Sequence, residues 1–259
     1  MSNKPIGIFD SGVGGTSILK EITTLLPEEN CIYLADSKNA PYGNKTKEDI
    51  LQLSIKNTEY LLGKGCKIIV VACNTATTNT ISYLRANYKI PFIGIEPAIK
   101  PAALNTQSRT IGILATKGTL SSQLFHKTTD LYASDIKVIE QVGEGIVPLI
   151  ENGQLDSNQM KTLLQTYIKP MLDQNIDYLV LGCTHYPYLI PILTKMLPKN
   201  VKIIDSGLAV AKQTQAILSN DNLLNRSNDK PIINLFSNGD ISVLKSILDN
   251  EFNTSYLNF

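Results

Sequence analysis

Short apolar runs alternate with longer amphipathic stretches along this chain. The runs Ile6–Phe9, Ile32–Ala35, Ile68–Ala72, Phe92–Ile95, Ile111–Ala115, Lys137–Glu140, Tyr178–Gly182, Val201–Ile204 and Ile232–Phe236 read as strands. Most are apolar throughout, without the alternation of a half-exposed strand, as strands buried on both faces of a parallel sheet are. The segment from about Thr46 to about Leu62 reads as a helix. Thr46 and Asp49 have capping-box spacing, and Ile50, Leu53, Asn57 and Leu61 mark a largely apolar face. Further helices start near Thr16, Thr75, Thr119, Asn158, Leu208 and Ser242, and the Asn-rich stretch Ser219–Lys230 reads as a surface loop. β and α segments in this order predict an α/β fold with mainly parallel sheets.

The pattern also repeats. Ile6-Gly-Ile-Phe9 is similar to Ile111-Gly-Ile-Leu114, and Ile69-Val-Val-Ala-Cys73-Asn-Thr75 to Leu179-Val-Leu-Gly-Cys183-Thr-His185, at nearly the same offset. Two similar halves follow, with borders near Pro97–Pro101 and again near Asp205–Gly207.

Composition narrows the function. A chain of 259 residues suffices for one large or two modest domains. Lys+Arg is 24 and Asp+Glu is 23, so no basic excess marks nucleic acid or an anionic membrane as a partner. No apolar stretch has signal-peptide or transmembrane character, so a cytoplasmic location is expected. The cysteines stand at 31, 66, 73 and 183, and none forms a C-x-x-C. Cytosolic thiols stay reduced, so each cysteine is either packing or chemistry. Cys31 and Cys66 read as core.

Ligands of a parallel sheet sit beyond the carboxyl ends of its strands. The segments found there are Asp10-Ser-Gly-Val-Gly-Gly15, Asp36 with Pro41-Tyr-Gly43, Cys73-Asn-Thr75, Thr116-Lys-Gly-Thr119 and Cys183-Thr-His185. Cys73 and Cys183 each follow a strand and precede an expected helix start, where the dipole favours a thiolate. One thiolate and one thiol on opposite faces of a cleft would remove an α-proton and return it with inverted configuration. Asp10 and His185 stand where they could tune or relay for Cys73 and Cys183. As single residues they read equally well as a turn aspartate and a structural histidine. Ser11, Asn74, Thr75 and Thr184 offer donors suited to a carboxylate. The glycine-rich loop matches neither G-x-x-x-x-G-K-[ST] nor G-x-G-x-x-G, which argues against a nucleotide. His126 reads as a surface residue.

The blocks Gly7-Ile-Phe-Asp-Ser-Gly-Val-Gly-Gly15, Ala35-Asp36 with Pro41-Tyr-Gly43, Val70-Val-Ala-Cys-Asn-Thr-Ala76, Gly94-Ile-Glu-Pro-Ala98, Leu181-Gly-Cys-Thr-His-Tyr-Pro187 and Ile204-Asp-Ser-Gly207 together resemble the glutamate racemases of the aspartate/glutamate racemase group. The resemblance implies Cys73 and Cys183 as the acid/base pair, assisted by Asp10 and His185. It implies substrate contacts from Asp10, Ser11, Tyr42, Gly43, Asn74, Thr75, Thr184 and His185, and further ones from Thr116 and Thr119. Asp36 and Glu151 match assisting or positioning acids, though Glu151 alone reads equally as a solvated acid at a helix end.

The implied fold is two pseudo-symmetric α/β domains, 1–97 with 208–259 and 98–207, with the active site in the cleft between them. The resemblance implies neither pyridoxal phosphate nor metal. It implies a cytoplasmic homodimer that supplies D-glutamate for peptidoglycan. Four other readings stay open at this point: a racemase of aspartate or another small acid, a zinc site built from Cys73, Cys183, His185 and Asp10, a non-catalytic amino-acid-binding module, and a thiol hydrolase using one cysteine with His185.

Overall fold

The computed structural model describes residues 2–227 and 229–259. From the N-terminus, β1 (Ile6–Asp10), α1 (Thr16–Leu25), β2 (Cys31–Ala35), α2 (Lys47–Gly63), β3 (Ile68–Val71), α3 (Asn74–Asn87) and β4 (Phe92–Gly94) form a first run of β/α units. After α4 (Ile99–Asn105), a second run follows: β5 (Thr110–Ala115), α5 (Lys117–Leu120), α6 (Gln123–Ala133), β6 (Lys137–Val142), α7 (Ile146–Glu151), α8 (Asn158–Leu172), β7 (Tyr178–Gly182), α9 (Ile190–Met196) and β8 (Lys202–Ile204). The chain closes with α10 (Gly207–Asn220), β9 (Ile233–Ser237), α11 (Ile241–Ile247) and β10 (Asn253–Tyr256).

The strands form two sheets, ordered β10-β9-β2-β1-β3-β4 and β6-β5-β7-β8, with every pair parallel. The orders β2-β1-β3-β4 and β6-β5-β7-β8 correspond strand for strand, which gives the sequence repeat its structural meaning. The segment after α10 returns to the first sheet and adds β9 against β2. The central strands β1, β3, β5 and β7 are buried along their whole length. Helices cover both faces of such a sheet, and that burial is what their unbroken apolar character reflects.

The helix boundaries have local causes. Thr46 caps α2 by accepting from the Asp49 amide at 3.1 Å, and its hydroxyl donates to the Asp49 carboxylate at 2.8 Å. Ile50, Ser54, Asn57, Thr58 and Leu61 form its buried face, while Leu53 is half-buried at the margin. The helix expected from Thr119 is two, because Ser122 caps a new start by accepting from the Phe125 amide. Ser219–Lys230 is a loop only in part. Ser219 and Asn220 end α10, and Asn225 is buried with its amide donating to Glu29 at 2.8 Å. Asn228 of that stretch lies outside the described residues. Cys31 and Cys66 are buried, and burial pushes both thiols up, Cys66 to about 12. His126 is exposed. Among the described residues, no helix is long and apolar enough to cross a membrane.

Candidate active site

The carboxyl ends of β1, β3, β5 and β7 bring the two halves face to face. β1 pairs with both β2 and β3, so the turn after Asp10 stands between Asp36 and Cys73. Cys73 leaves β3 and is the N-cap of α3, its sulfur accepting from the Ala76 amide at 3.4 Å. Its thiol also points to Ser11 Oγ at 3.6 Å. Burial pushes the Cys73 thiol up, and the nearby Asp10 carboxylate pushes it further, against the Ala76 and Ser11 hydrogen bonds. Burial thus outweighs the helix end that was expected to favour the thiolate. The Cys183 sulfur also helps to raise the Cys73 thiol, so the two sulfurs share one site.

Cys183 differs from the expected helix N-terminus. It leaves β7 into a turn closed by the Tyr186 amide on the Cys183 carbonyl at 3.0 Å, followed by a 3-10 turn at Tyr186–Leu189. Its sulfur lies 3.7 Å from His185 Nδ1. His185 Nε2 in turn lies 2.5 Å from Glu151 Oε1, the last residue of α7. Burial opposes charge on His185, but the hydrogen bonds to Cys183 and Glu151 override it and hold the imidazole well above its ordinary value.

Asp10 belongs to the first sheet yet binds the second half. One oxygen accepts from the Gly12 and Gly15 amides, each at 3.1 Å, and the other from Thr184 Oγ1 at 3.1 Å. Burial raises its acid to about 6 despite the attraction of His185. Glu151 crosses in the opposite direction, accepting from the Val13 amide at 2.7 Å and from Ser37 Oγ at 2.9 Å. Ser17 Oγ donates to the Thr184 carbonyl at 3.0 Å, and Thr16 meets the Tyr188 hydroxyl at 2.5 Å. A Cβ on Gly12 would overlap Glu151, and one on Gly14 would overlap His185. Gly12 and Gly14 let the halves approach, while a Cβ on Gly15 would meet Asp10, Tyr33 and Ala72 of its own half.

A third contact joins α3 to α5. The hydroxyls of Thr75, Thr116 and Thr119 form a triangle with sides of 2.8, 3.0 and 3.3 Å. Gly43 packs on Thr116 beside it. Asp36 does not reach the thiols by hydrogen bonding. Its carboxylate instead accepts from Asn39 at 2.7 Å, Tyr42 OH at 2.5 Å and Asn238 at 2.5 Å, fixing the loop that carries Gly43. Asn74 is buried, and neither end of its carboxamide has a partner among the described residues. Two grooves open above, sharing Pro41, Val147 and Pro148. One, of about 140 Å³, is lined by Gly43, Thr116 and Lys117, and the other, of about 290 Å³, by Ser37, Glu151 and Asp240. Ser17, Ser37, Tyr188 and Asn238 were not singled out from the sequence. Ser37 and Tyr188 adjoin segments that were, whereas nothing local to Asn238 marks it.

Among the described residues, no group of three or more His, Cys, Asp and Glu side chains is arranged to hold a metal ion. Asp10 is saturated by amides and a hydroxyl, and His185 Nε2 is engaged by Glu151.

Residues 6–214 match the family described as Asp/Glu/Hydantoin racemase. A glutamate racemase of Ectopseudomonas mendocina is 46% identical over 248 residues, covering 95% of this chain and 94% of that protein. The glutamate racemase RacE1 of Bacillus anthracis superposes with a TM-score of 0.88 at 29% identity, covering 100% and 99% of the two chains. A Francisella tularensis glutamate racemase in complex with D-glutamate gives 0.86 at 28%, covering 100% and 98%. Two parallel sheets with a buried thiol at the end of a corresponding strand in each, together with similarity along nearly the whole chain, lead to one assignment: this protein belongs to the Asp/Glu/hydantoin racemase family.

Proposed function

We propose that the protein interconverts L- and D-glutamate by a two-base transfer of the α-proton between Cys73 and Cys183, without a cofactor. The carrying observation is the pair of buried sulfurs at the ends of β3 and β7, each backed by its own acid/base partner. Asp10 stands near Cys73, and His185 with Glu151 stands behind Cys183. One sulfur takes the α-proton as the other supplies a proton to the opposite face, and the roles exchange in reverse. The high thiol of Cys73 makes it a proton donor at rest, with the Asp10 carboxyl, raised to about 6, beside it. The unpaired carboxamide of Asn74, with the Thr75 and Thr184 hydroxyls, suits the substrate's polar groups. A buried amide left unmade would cost about 1–3 kcal/mol.

The D-glutamate held by the Francisella relative supports glutamate as substrate. On the same reading the enzyme is cytoplasmic, acts as a homodimer and supplies D-glutamate for peptidoglycan. Residues 1–97 with 208–259 make one domain and 98–207 the other, a division that the return of β9 to β2 and the packing of α10 on α1 support. The test is replacement of each thiol. Cys73→Ala and Cys183→Ala should each fold normally and lose racemisation by about 10²–10⁴-fold or more, the span of positioned acid–base catalysis. Substantial turnover in both directions by either variant would refute the scheme.

A further inference from the structure

The two grooves over the site differ in charge. The groove of about 140 Å³ holds Gly43 and Thr116, both expected to meet substrate, and carries Lys117 and Glu144 on the same lining. The groove of about 290 Å³ carries the acids Glu151 and Asp240. Among the described residues that line either groove, Lys117 is the only cation. It is exposed, and among the described residues its ammonium has no carboxylate at ion-pair distance. Its backbone is nevertheless held. Thr116 before it belongs to the threonine triangle, and the Gly118 carbonyl after it accepts from the Asn79 carboxamide of α3 at 3.2 Å. Lys117 is thus pinned between two contacts to the first half, with its charge left at the groove.

We infer that Lys117 is a specificity residue, whose ammonium draws an anionic amino acid by its carboxylates into the groove that Gly43 and Thr116 line. The inference rests on the racemisation of glutamate proposed above. Glutamate carries two carboxylates and one ammonium at neutral pH, so it approaches as a net anion. Lys117 attracts it, and Glu151 and Asp240 repel it from the other groove, so the charges select the route. Glu144 shares the lining with Lys117 and opposes its pull. Lys117 acts on encounter and binding, and the α-proton is left to the two sulfurs. A neutral amino acid gains nothing from this arrangement, which is how one exposed lysine contributes to selecting an acidic substrate.

The experiment measures kcat and kcat/KM for D-glutamate between about 0.01 M and 1 M sodium chloride, across which the screening length falls from about 30 Å to about 3 Å. For the native protein kcat/KM should fall as salt is added. Lys117→Gln should lower kcat/KM at low salt by about threefold to tenfold and flatten its dependence on salt. Lys117→Glu should lower it further and invert that dependence, Lys117→Arg should behave as native, and Glu144→Gln should raise kcat/KM at low salt. The losses should lie in KM, with kcat within about twofold of native, as for a group that binds substrate and transition state alike. Circular dichroism checks that each variant is folded. A folded Lys117→Glu with native kcat/KM and native salt dependence, or one whose loss lies wholly in kcat, would overturn the inference. Absence of racemisation by the native protein would overturn the underlying reading of the site, and this inference with it.

Discussion

At the residue scale, Asp10 shows how a site departs from what its sequence position suggests. Asp-Ser-Gly is a turn sequence, and Asp10 does accept the Gly12 and Gly15 amides as a turn aspartate would. Its complete burial adds a second property, an acid raised from 3.8 to about 6. The unfolded carboxyl ionises from about pH 4 while the folded one holds its proton until about pH 6. Stability therefore falls as pH rises through that window and is level above it. The shift corresponds to about 3 kcal/mol. Asp10→Asn should thus resist urea better than the native protein at pH 7.5, by up to about 3 kcal/mol, with the gain vanishing near pH 4. The same substitution should remove the acid limb near pH 6 from kcat/KM for the enantiomer deprotonated by Cys73, and impair the other enantiomer less. Equal losses in both directions would mean that Asp10 only positions substrate. The types and places of the thiols, Asp10 and His185 were readable because each ends or follows an apolar run. Their electrostatics were not, since burial decides them: Cys73 caps a helix and still has its thiol pushed up. Asn238 was invisible because it reaches Asp36 only through the return of the C-terminal segment.

At the element scale, periodicity succeeded where burial is two-sided and failed where it is not. The nine expected strands correspond to β1–β9 within a residue or two at most ends. β10, Asn253–Tyr256, was missed because it is polar and only partly covered at the sheet edge. Three short helices were missed as well. Each carries a proline in its first turn, Pro101 in α4, Pro148 in α7 and Pro191 in α9. A proline there interrupts the apolar pattern but costs little, because first-turn amides have no intrahelical acceptor. The α2 cap was legible, and it yields a clean structural prediction. Thr46→Ala removes the acceptor for the Asp49 amide at an exposed position. It should destabilise the protein by about 1 kcal/mol in chemical denaturation with kcat unchanged. A loss well beyond that, or a fall in kcat, would mean that α2 helps shape the site.

At the scale of the whole molecule, the first sheet is completed by a chain segment far away in sequence, and a buried ion pair marks the junction. Lys67 meets Glu29 at 2.5 Å, with both side chains 2% exposed. Lys67 also donates to the Ser2 and Leu223 carbonyls, each at 2.8 Å, while Glu29 accepts the Asn225 amide. Removing one partner strands the other, so Lys67→Met should cost about 3–5 kcal/mol. The double replacement Lys67→Met with Glu29→Leu should recover most of it, and equal loss in single and double variants would assign the effect to packing alone. The sequence repeat anticipated two similar halves but not how tightly they close. Val13 and Ser37 bridge the cleft with atoms that have no signature of their own, and Thr184 and the threonine triangle, singled out from the sequence for the substrate, bridge it as well. The central claim is that two thiols in this closed cleft move an α-proton without a cofactor. Purified protein, under reducing conditions with chelator and no added cofactor, is given D-glutamate in heavy water, and optical rotation is followed together with α-deuterium by NMR. The account predicts decay of rotation toward zero with deuterium entering the α-position of the L-product. Silence on both glutamate enantiomers and on aspartate would contradict it, whereas turnover of aspartate alone would keep the two-thiol chemistry and change the substrate.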